Sequence, residues 1–503
     1  MNASYSLPES GSTHPAVGVD TAPQDLGRTH LIGIGGAGMS AVARLLLAHG
    51  VSVSGSDAQE SSGLDHIRQQ GAAVTVGQKA ENICGVDTVV VSTAIREFNP
   101  ELEAARDQGL RVIHRSDALA VSMYGSSVIA VAGTHGKTTT SSMIAVMLEA
   151  THQNPSWAIG AHVADLGANA ALGRGEWFVA EADESDGSFL KYAPTLAVVT
   201  NIEPDHLDHY PTTEAFYQAF DDFGSTLRDG GILVACQDDP GSRELAITLR
   251  ERGTRVLTYG TDATSDIRIC DVESHGLASS ATVVTGEGAD QRSYRLSLSV
   301  PGDHNIQNAT AAFAVAQAIG IPAEDALRGL TGFHGSARRF ELKGERGGVR
   351  VFDDYAHHPT EVAAALTAAR HVADGHKVYA MFQPHLFSRT RAFAAEFAQA
   401  LELADHAWVL PIFAAREDPV PGVTSAVIAD VAGQTVRAVD DVDHAVVELA
   451  ALASSGDLVL TIGAGDVTTY GPRVLQAIER HATDAAHGTP GGAAAGETRQ
   501  DAP

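Results

Sequence analysis

Cysteine, positive charge and long apolar runs are all scarce in this chain of 503 residues. The three cysteines, Cys84, Cys236 and Cys270, are too few and too far apart for a disulfide framework, and they fit a reducing compartment. Lys and Arg number 34 against 62 Asp and Glu, a net charge of −28. Nucleic acids and anionic membranes bind basic surfaces, so this balance disfavours both as partners. No apolar run approaches the roughly 20 residues that cross a bilayer, and no signal peptide is visible. We therefore expect a cytoplasmic protein without membrane insertion.

The composition is that of a globular protein with several domains. Hydrophobic residues make up 44% and charged residues 19% of the chain. Short apolar runs alternate with helix-like segments, which predicts an α/β fold with parallel strands and crossover helices. We predict three α/β domains at residues 27–125, 126–334 and 335–482, between disordered tails at 1–26 and 483–503. Alternating apolar and polar residues at about 254–300 indicate antiparallel strands added to the second sheet.

A glycine-rich turn joins the first predicted strand to the first predicted helix. Gly33–Gly38 reads G-x-G-x-x-G, and Asp57 follows about 20 residues later, at the end of the next strand. In dinucleotide-binding folds such glycines let the backbone approach a diphosphate, and the acidic residue bonds a ribose. The motif favours diphosphate binding. That the ligand is NAD is a separate and weaker hypothesis, and a tight turn required only for packing is the alternative.

A second loop of this kind, Gly133–Thr139, follows a buried strand and opens a helix. The strict P-loop pattern G-x-x-x-x-G-K-[ST] fails because Val131 holds the place of the first glycine. The remaining residues still suit a nucleotide phosphate. Backbone N–H groups can surround it, Lys137 can reach the terminal phosphates, and Thr138 can bind Mg²⁺.

Acidic and polar residues gather after the next two strands. Glu181–Asp186 holds four carboxylates in six residues, which repel each other unless a cation lies among them. Carboxylate oxygens suit Mg²⁺, although a solvated acidic turn is the alternative. Asn201–His209 follows the next strand, and the acids that flank His206 favour a ligand over a structural histidine.

The third predicted domain carries further candidates at strand ends. Arg338 and Arg339 offer cations for a phosphate. The segment Asp353–Glu361 ends a strand and precedes a helix that begins near Pro359. Arg389 can hold a carboxylate in bidentate fashion. Each could be a surface loop, but their common position at strand ends favours a site.

In this order, these segments resemble the Mur ligase family over roughly residues 28–480. The strings that carry the resemblance are GIGGAGMSA, AGTHGKTTT, EADESDGSFL, NIEPDHLDHY, PGDHNIQNATAA, RRFE, DDYAHHPTE, FQPH, AAREDP and GAGD. GTHGKTTT, EADESD and DDYAHHPTE together point to the muramate-processing branch. Leu386, where many relatives carry Arg, and Pro411, where Asp is expected, depart from the family pattern.

The resemblance implies an ATP-dependent ligase of three α/β domains. An N-terminal Rossmann-like domain would hold the UDP part of UDP-N-acetylmuramate, a central P-loop domain ATP and Mg²⁺, and a C-terminal Rossmann-like domain the amino acid. The lactyl carboxylate would attack the γ-phosphate of ATP to give an acyl phosphate, which L-alanine then attacks. All these partners are small molecules, and a monomer and a homodimer both remain open.

The resemblance also implies residue roles. The UDP substrate would contact the first glycine loop and the acidic residue after it: Gly35, Gly36, Ala37, Gly38, Met39, Ser40 and Asp57. ATP would contact residues of the second loop and of later segments: Gly133, Thr134, His135, Gly136, Lys137, Thr138, Thr139, Asn305, Arg339 and Asp354. The metal ligands would be Thr138, Glu181 and His206, and the amino-acid contacts Tyr355, His357 and Arg389. The catalytic residues would be Lys137, His206 and Arg339.

Three other functions compete with this interpretation. A recycling ligase that attaches a ready-made tripeptide to UDP-N-acetylmuramate shares most of the strings. An NAD-dependent dehydrogenase would explain Gly33–Gly38 but leaves GTHGKTTT unexplained. A nucleotide-binding regulator without catalysis is disfavoured because four candidate site residues are retained: Lys137, Glu181, His206 and Arg339.

Overall fold

The structure is a computed structural model, and it describes residues 14–205, 209–415 and 417–487. The chain divides into two compact units, Met1–Ala337 and Arg338–Pro503. Within the described residues, the first unit contains a five-stranded and a ten-stranded sheet, and the second contains a six-stranded sheet. The predicted fold class, three α/β domains, is confirmed. In the described part of the chain, helices fall short of the combined length and apolarity that crossing a bilayer requires.

The five-stranded sheet is parallel throughout, in the order β3-β2-β1-β4-β5. Its strands are β1 Thr29–Ile32, β2 Val53–Asp57, β3 Ala73–Val76, β4 Thr88–Val91 and β5 Arg111–His114. Its helices are α1 Ala37–Ala48, α2 Ser62–Gln69, α3 Pro100–Asp107 and α4 Arg115–Ser122. Every residue of β1 and β4 is buried, as expected for strands with helices on both faces. The strand order reverses between β1 and β4, and α/β sheets bind ligands beside the carboxyl ends of such strands.

The predicted N-terminal tail, residues 1–26, is partly ordered. Pro23–Leu26 form a 3-10 helix, and Leu26 is buried. Thr88 Oγ1 donates a hydrogen bond to the carbonyl of Leu26 at 2.7 Å, and Gln24 Nε2 donates to the carbonyl of His49 at 2.9 Å. The disorder prediction therefore fails for Pro23–Leu26, because this turn packs against the first sheet. Residues 1–13 lie outside the described residues.

The ten-stranded sheet has the order β15-β14-β13-β12-β11-β10-β6-β9-β7-β8. Its strands are β6 Ser127–Ala132, β7 Ser156–Val163, β8 Ala168–Ala171, β9 Trp177–Glu181, β10 Leu196–Val199, β11 Ile232–Cys236, β12 Arg255–Gly260, β13 Ile267–His275, β14 Ala278–Thr285 and β15 Arg292–Leu298. Its helices are α5 Lys137–Ala150, α6 Thr213–Ser225, α7 Pro240–Glu251, α8 Asp303–Ala318 and α9 Ala323–Thr331. The central strand β6 pairs in parallel with β9 and β10, so the carboxyl ends of all three meet at one edge.

The stretch at 254–300 differs in part from its prediction. Strand β12 runs parallel to β11, and the start of β13 is parallel to β12, while β14 is antiparallel to both of its neighbours, β13 and β15. The reason is the crossover helix α7, which returns the chain to the same edge before β12 begins. Asp239 caps this helix by accepting a hydrogen bond from Ser242 N, and Pro240 occupies its first turn.

The six-stranded sheet of the second unit has the order β16-β17-β21-β18-β19-β20. Its strands are β16 Glu341–Arg346, β17 Val349–Asp354, β18 Val378–Phe382, β19 His406–Val409, β20 Val436–Ala438 and β21 Leu458–Ile462. Its helices are α10 Pro359–Ala373, α11 Phe387–Ala392, α12 Ala394–Leu401, α13 Ala426–Ala429, α14 Val442–Leu452 and α15 Tyr470–His487. β16 is antiparallel to β17, and the other pairs are parallel. Helix α15 continues to His487, so the predicted tail cannot begin at residue 483.

Candidate nucleotide and metal site

The loop between β6 and α5 has a shape that two glycines allow. Gly133 has a φ of 132°, and a Cβ added there would lie 2.1 Å from Thr200 Oγ1. Gly136 has a φ of 81°, and its Cβ would lie 2.7 Å from Asn308 Oδ1. A side chain at either position would be strained and would also clash. The predicted glycines are therefore required by the path of this backbone.

The end of β10 fixes the middle of this loop. The carbonyl of His135 accepts hydrogen bonds from Thr200 Oγ1 at 2.6 Å and from Asn201 Nδ2 at 3.1 Å. The N–H of His135 is donated to Asn201 Oδ1 at 2.8 Å, and that of Thr134 to the carbonyl of Asn201 at 3.2 Å. These two N–H groups are therefore hydrogen-bonded to Asn201 in this conformation. The first turn of α5, which begins at Lys137, is the part of this segment whose backbone N–H groups can face an anion.

Glu203 holds the side chains of the same loop residues. Thr134 Oγ1 donates a hydrogen bond to the carbonyl of Glu203 at 2.8 Å and accepts one from Glu203 N at 2.9 Å. The His135 ring lies against the Glu203 carboxylate, with Nε2 to Oε2 at 2.8 Å. The side chains predicted to contact ATP at 134 and 135 thus anchor the loop to the segment after β10.

Lys137 projects into the loop. Its Nζ donates to the carbonyl of Gly133 at 2.6 Å, to the carbonyl of Thr134 at 3.1 Å and to Glu184 Oε1 at 2.9 Å. Burial alone would lower the pKa of Lys137, but the charges of Glu184, Asp183 and Glu181 outweigh it and raise the pKa. The ammonium therefore stays charged, as phosphate binding requires.

Two of the three predicted metal ligands lie side by side. Thr138 Oγ1 donates a hydrogen bond to Glu181 Oε1 at 2.7 Å, and Glu181 Oε2 accepts one from Gly160 N at 2.6 Å. Thr138 and its neighbour Thr139 are buried in the first turn of α5, and Glu181 ends β9. The donors are all oxygens beside a helix N-terminus, a set that fits Mg²⁺. His206, the third predicted ligand, lies outside the described residues.

The carboxylates of the acidic segment after β9 contact different protein groups. Asp183 Oδ1 accepts a hydrogen bond from Ser185 N at 3.0 Å, and Asp186 Oδ1 accepts one from Ser188 N at 2.9 Å. Glu184 pairs with Lys137, and burial raises the pKa of Glu184 to about 7 against the opposing charge of Lys137. Of the four carboxylates, Glu181 is therefore the one whose oxygen bonds Thr138.

Asn305, predicted to contact ATP, is buried near the start of α8. Its Nδ2 donates to the carbonyl of Pro301 at 2.7 Å, and its Oδ1 accepts from Asn308 Nδ2 at 3.3 Å. Asn308 Oδ1 in turn accepts from Thr140 Oγ1 in α5 at 3.1 Å. Sequence reasoning missed Asn308, which links α8 to the helix that carries Lys137. Its position one helical turn after Asn305 was the available signal.

The first glycine loop leads from β1 into α1. The carbonyl of Ser56 accepts hydrogen bonds from Gly33 N and Ile34 N, and Asp57 Oδ2 accepts one from Gly35 N at 3.0 Å. Gly33 has a φ of 77°, and Gly36 caps α1. Asp57, predicted to bond a ribose, therefore also holds the loop in shape.

The remaining residues predicted to bind the UDP substrate begin α1. The carbonyl of Ala37 accepts from Ser40 Oγ at 2.9 Å and from Asn169 Nδ2 at 3.2 Å. Met39 is only 3% exposed, so its side chain packs in the core and its backbone is what can face a ligand.

Arg115 is a residue of this region that sequence reasoning missed. Its guanidinium lies against Gly38, since a Cβ added to that glycine would be 2.9 Å from Arg115 Nη1. Arg115 directly follows β5 and begins α4, a strand-end position that was the one available signal. It brings a positive charge to the start of α1 in a protein with a net charge of −28.

In the second unit, the end of β17 gathers several predicted residues. Asp354 accepts hydrogen bonds from Phe340 N and Ala356 N, each at 2.8 Å. Burial raises the pKa of Asp354 to about 6, although the charge of Arg339 opposes this. The Arg339 guanidinium lies over the Tyr355 ring, 5.3 Å from its centroid.

The neighbouring Arg338 has a structural role. Its guanidinium bonds the fully buried Asp353 at 3.2 Å and the carbonyls of Gly463 and Gly465 at 2.5 and 3.1 Å. Of the two arginines considered for a phosphate, Arg339 is thus the better candidate.

The predicted amino-acid contacts lie after β17 and β18. The N–H of His357 is donated to Glu361 Oε2 at 2.9 Å, and the His357 ring is 5.9 Å from that of His385. Arg389 is 6% exposed in α11. Leu386, which departs from the family pattern, caps this helix with a φ of 70° and is buried.

A phosphate loop with its lysine, beside oxygen ligands that suit Mg²⁺, defines a nucleotide-dependent enzyme of the P-loop class. The sequence matches three family descriptions: "Mur ligase family, catalytic domain" over residues 28–126, "Mur ligase middle domain" over 131–316 and "Mur ligase, glutamate ligase domain" over 338–465. The chain belongs to the Mur ligase family, and it is an ATP-dependent ligase.

Named relatives and solved structures agree with this assignment. A UDP-N-acetylmuramate–L-alanine ligase from Renibacterium salmoninarum is 57% identical over 464 residues, 92% of this chain and 98% of the relative. One from Paenarthrobacter aurescens is 55% identical, covering 90% and 98%. The crystal structure of UDP-N-acetylmuramate–alanine ligase from Thermotoga maritima has a TM-score of 0.74 and 28% identity, covering 91% and 99%. A murein peptide ligase from Psychrobacter arcticus has a TM-score of 0.66 and 26% identity, covering 90% and 98%.

Proposed function

We propose that this protein joins L-alanine to the lactyl carboxylate of UDP-N-acetylmuramate with the conversion of ATP to ADP and phosphate, a step of peptidoglycan precursor synthesis in the cytoplasm. Two relatives named UDP-N-acetylmuramate–L-alanine ligase are 57% and 55% identical to this chain over almost their whole length. The observation that supports the chemistry most directly is the position of Thr138 Oγ1 and Glu181 Oε1, which lie 2.7 Å apart beside the loop that leads into Lys137.

The reaction brings two anions together. A carboxylate oxygen forms a bond to the γ-phosphorus, and the bond from that phosphorus to ADP breaks, which gives an acyl phosphate. The amine of L-alanine then bonds to the acyl carbon and loses a proton, and phosphate leaves with the carboxylate oxygen. Such an encounter needs positive charge between the reactants and needs no protein nucleophile.

Lys137 supplies one positive charge at the loop. Thr138 and Glu181 would hold Mg²⁺, which when bound neutralises phosphate charge, and His206 is the further proposed ligand and catalytic residue. The N-terminal turn of α5 adds backbone N–H groups to the same anion site. Asn305 remains the proposed adenine contact.

The UDP diphosphate would lie at the first glycine loop, Gly33–Gly38. The start of α1 offers backbone N–H groups, and Arg115 offers a guanidinium next to Gly38. Because this loop falls within residues 28–126, matched to the ligase family, the NAD-dehydrogenase hypothesis loses its basis.

The remaining proposed roles fall on residues of the second unit. Arg339 is proposed for the transferring phosphate, Asp354 for the ATP ribose, and the residues Tyr355, His357 and Arg389 for the alanine. These assignments rest on the family resemblance and on the clustering of the first four residues at the end of β17.

The second candidate is a ligase that adds a ready-made peptide, because the murein peptide ligase structure also matches this chain. The higher TM-score and identity of the alanine ligase structure favour L-alanine.

Phosphate release followed in a coupled assay tests both candidates. We expect release that requires UDP-N-acetylmuramate, L-alanine and Mg²⁺ together. Turnover with a tripeptide in place of L-alanine would support the second candidate, and turnover without the muramate would contradict both.

A further inference from the structure

The ammonium of Lys137 already has a complete set of hydrogen-bond partners. A lysine ammonium has three N–H donors and no acceptor. The three acceptors around Nζ are the carbonyl of Gly133, the carbonyl of Thr134 and the carboxylate of Glu184, at 2.6, 3.1 and 2.9 Å. The Lys137 side chain is 14% exposed. A phosphate oxygen can therefore bond this lysine only if one of the three acceptors gives way.

Glu184 is held firmly in its place. Its side chain is 0% exposed. Its carbonyl accepts hydrogen bonds from Tyr210 OH at 2.6 Å and from Gly187 N at 3.0 Å. The Tyr210 ring packs edge-on against Phe216, with centroids 5.2 Å apart. Because buried aromatic packing fixes the backbone at 184, the contact with Lys137 is part of the fold and not a chance surface pair.

Of the three acceptors, Glu184 is the one that an anionic ligand would displace. The two carbonyls belong to the loop itself and have no net charge to oppose a phosphate. A carboxylate beside a phosphate group would repel it strongly in a largely buried site. Exchange of the carboxylate for the phosphate lets Lys137 keep an anionic partner both before and after ATP binds.

We propose that Glu184 is a positioning residue that holds the Lys137 ammonium at the loop in the ATP-free enzyme and yields it to the terminal phosphates of ATP. The inference rests on the proposed function, because it takes ATP as the ligand of this loop. It assigns to Glu184 a role other than metal binding, which is the role proposed for Glu181.

The exchange has a signature opposite to that of a purely structural contact. Removal of the competing carboxylate leaves ATP as the anionic partner of Lys137, so ATP should bind more tightly. If Glu184 only kept the loop folded, its loss would weaken ATP binding. The sign of the change in affinity therefore separates the two roles.

The test is the dissociation constant of Mg·ATP, measured by calorimetry on the full chain, with and without Glu184→Gln. This substitution keeps the side-chain size and one acceptor oxygen but removes the charge. We expect the dissociation constant to fall by about fivefold, a coupling typical of contacting charged residues. The matched control is Glu149→Gln at the far end of α5, where the exposed glutamate carries the same charge. It should leave the dissociation constant unchanged within about twofold.

A second background shows whether the effect acts through the lysine. In Lys137→Met the buried Glu184 carboxyl has lost its cation, and burial then favours its neutral form, so Glu184→Gln removes no charge and should no longer tighten ATP binding. The inference would be overturned if Glu184→Gln changed the ATP dissociation constant equally with and without Lys137. It would also be overturned if Glu184→Gln left ATP binding unchanged or weaker in the protein that keeps Lys137. If Glu184→Gln does not fold, Glu184→Asp, which withdraws the carboxylate, should tighten ATP binding by a smaller factor, and weaker binding would overturn the proposal. Failure of the unmodified protein to bind ATP at all would instead contradict the proposed function.

Discussion

Substitution of Gly133 by alanine should damage the phosphate loop while sparing the rest of the first unit. Gly133 combines a φ of 132° with the closest approach in the loop, where an added Cβ would be 2.1 Å from Thr200 Oγ1 and 3.0 Å from the carbonyl oxygen of Asn201. Thr200 cannot easily move, because it is 5% exposed and its Oγ1 donates to the carbonyl of His135 at 2.6 Å. The loop must therefore shift away from β10.

The structure gives the approximate size of this effect. A residue with a side chain in such a backbone conformation costs about 1–3 kcal/mol. Overpacking a filled site costs about 1–3 kcal/mol more. The sum is about 2–6 kcal/mol, and a displaced loop would also separate Lys137 from the Gly133 carbonyl. We expect the dissociation constant of ATP to rise by at least about tenfold, since each 1.4 kcal/mol is a factor of ten.

Calorimetric ATP titration and urea unfolding of Gly133→Ala measure both effects. Gly167 offers a matched control, because its φ is 69° but the space around its Cβ position is open within 4 Å. Gly167→Ala should lose only about 1 kcal/mol, from backbone strain alone, and keep its ATP affinity. If both variants unfold at the same urea concentration and bind ATP equally well, the clash at Gly133 does not exist.

Three further predictions concern other parts of the site. Arg115→Ala should raise KM for UDP-N-acetylmuramate by about tenfold, because a charge-assisted contact is lost, with little change in KM for ATP. Arg106→Ala on the exposed face of α3 is the control, and equal effects of the two would contradict the role of Arg115. Glu181→Ala should shift the Mg²⁺ titration of activity to higher concentration; an unaltered titration would show that Glu181 does not serve the metal. Burial raises the pKa of Asp354 to about 6 from 3.8, so the folded protein binds this proton more tightly than the unfolded chain. The stabilisation is therefore full below about pH 4 and is lost as the pH rises to about 6, roughly 3 kcal/mol in all. Asp354→Asn should lack this pH-dependent loss of stability. The prediction would be refuted if the free energies of unfolding of the two proteins changed equally with pH between pH 4 and 7.

Local pattern was enough to locate the two glycine loops and the strands that precede them. Gly33–Gly38 and Gly133–Thr139 each follow a buried strand and open a helix. The apolar run of the strand, the glycines of the loop and the helix that follows are all visible in consecutive residues of the sequence. The acidic segment after β9 was located for the same reason. Its contacts could not be predicted, because Asp183 and Asp186 each accept a hydrogen bond from a backbone N–H group, which composition does not reveal.

Long-range contacts could not be predicted in this way. Arg115 and Gly38 meet across β1, β4 and β5, and Asn201 holds His135 across 66 positions of sequence. The periodicity of neighbouring residues does not reveal contacts between positions so far apart in the sequence. The predicted direction of β12 was wrong for a related reason. Alternation of apolar and polar residues shows that a strand exists, but it does not show whether a crossover helix makes that strand parallel to its neighbour. The burial of Leu26 depends likewise on a sheet formed by later residues.

The most direct test of the proposed chemistry is the fate of an oxygen atom. If UDP-N-acetylmuramate carries ¹⁸O at both oxygens of its lactyl carboxylate, the oxygen that attacks the γ-phosphorus passes to phosphate when L-alanine displaces phosphate from the acyl carbon. Mass spectrometry of the phosphate released with Mg·ATP and L-alanine should find one ¹⁸O atom for each molecule of product formed. Phosphate free of ¹⁸O, with the ligated product present, would show that the carboxylate never attacks the triphosphate and would contradict the account.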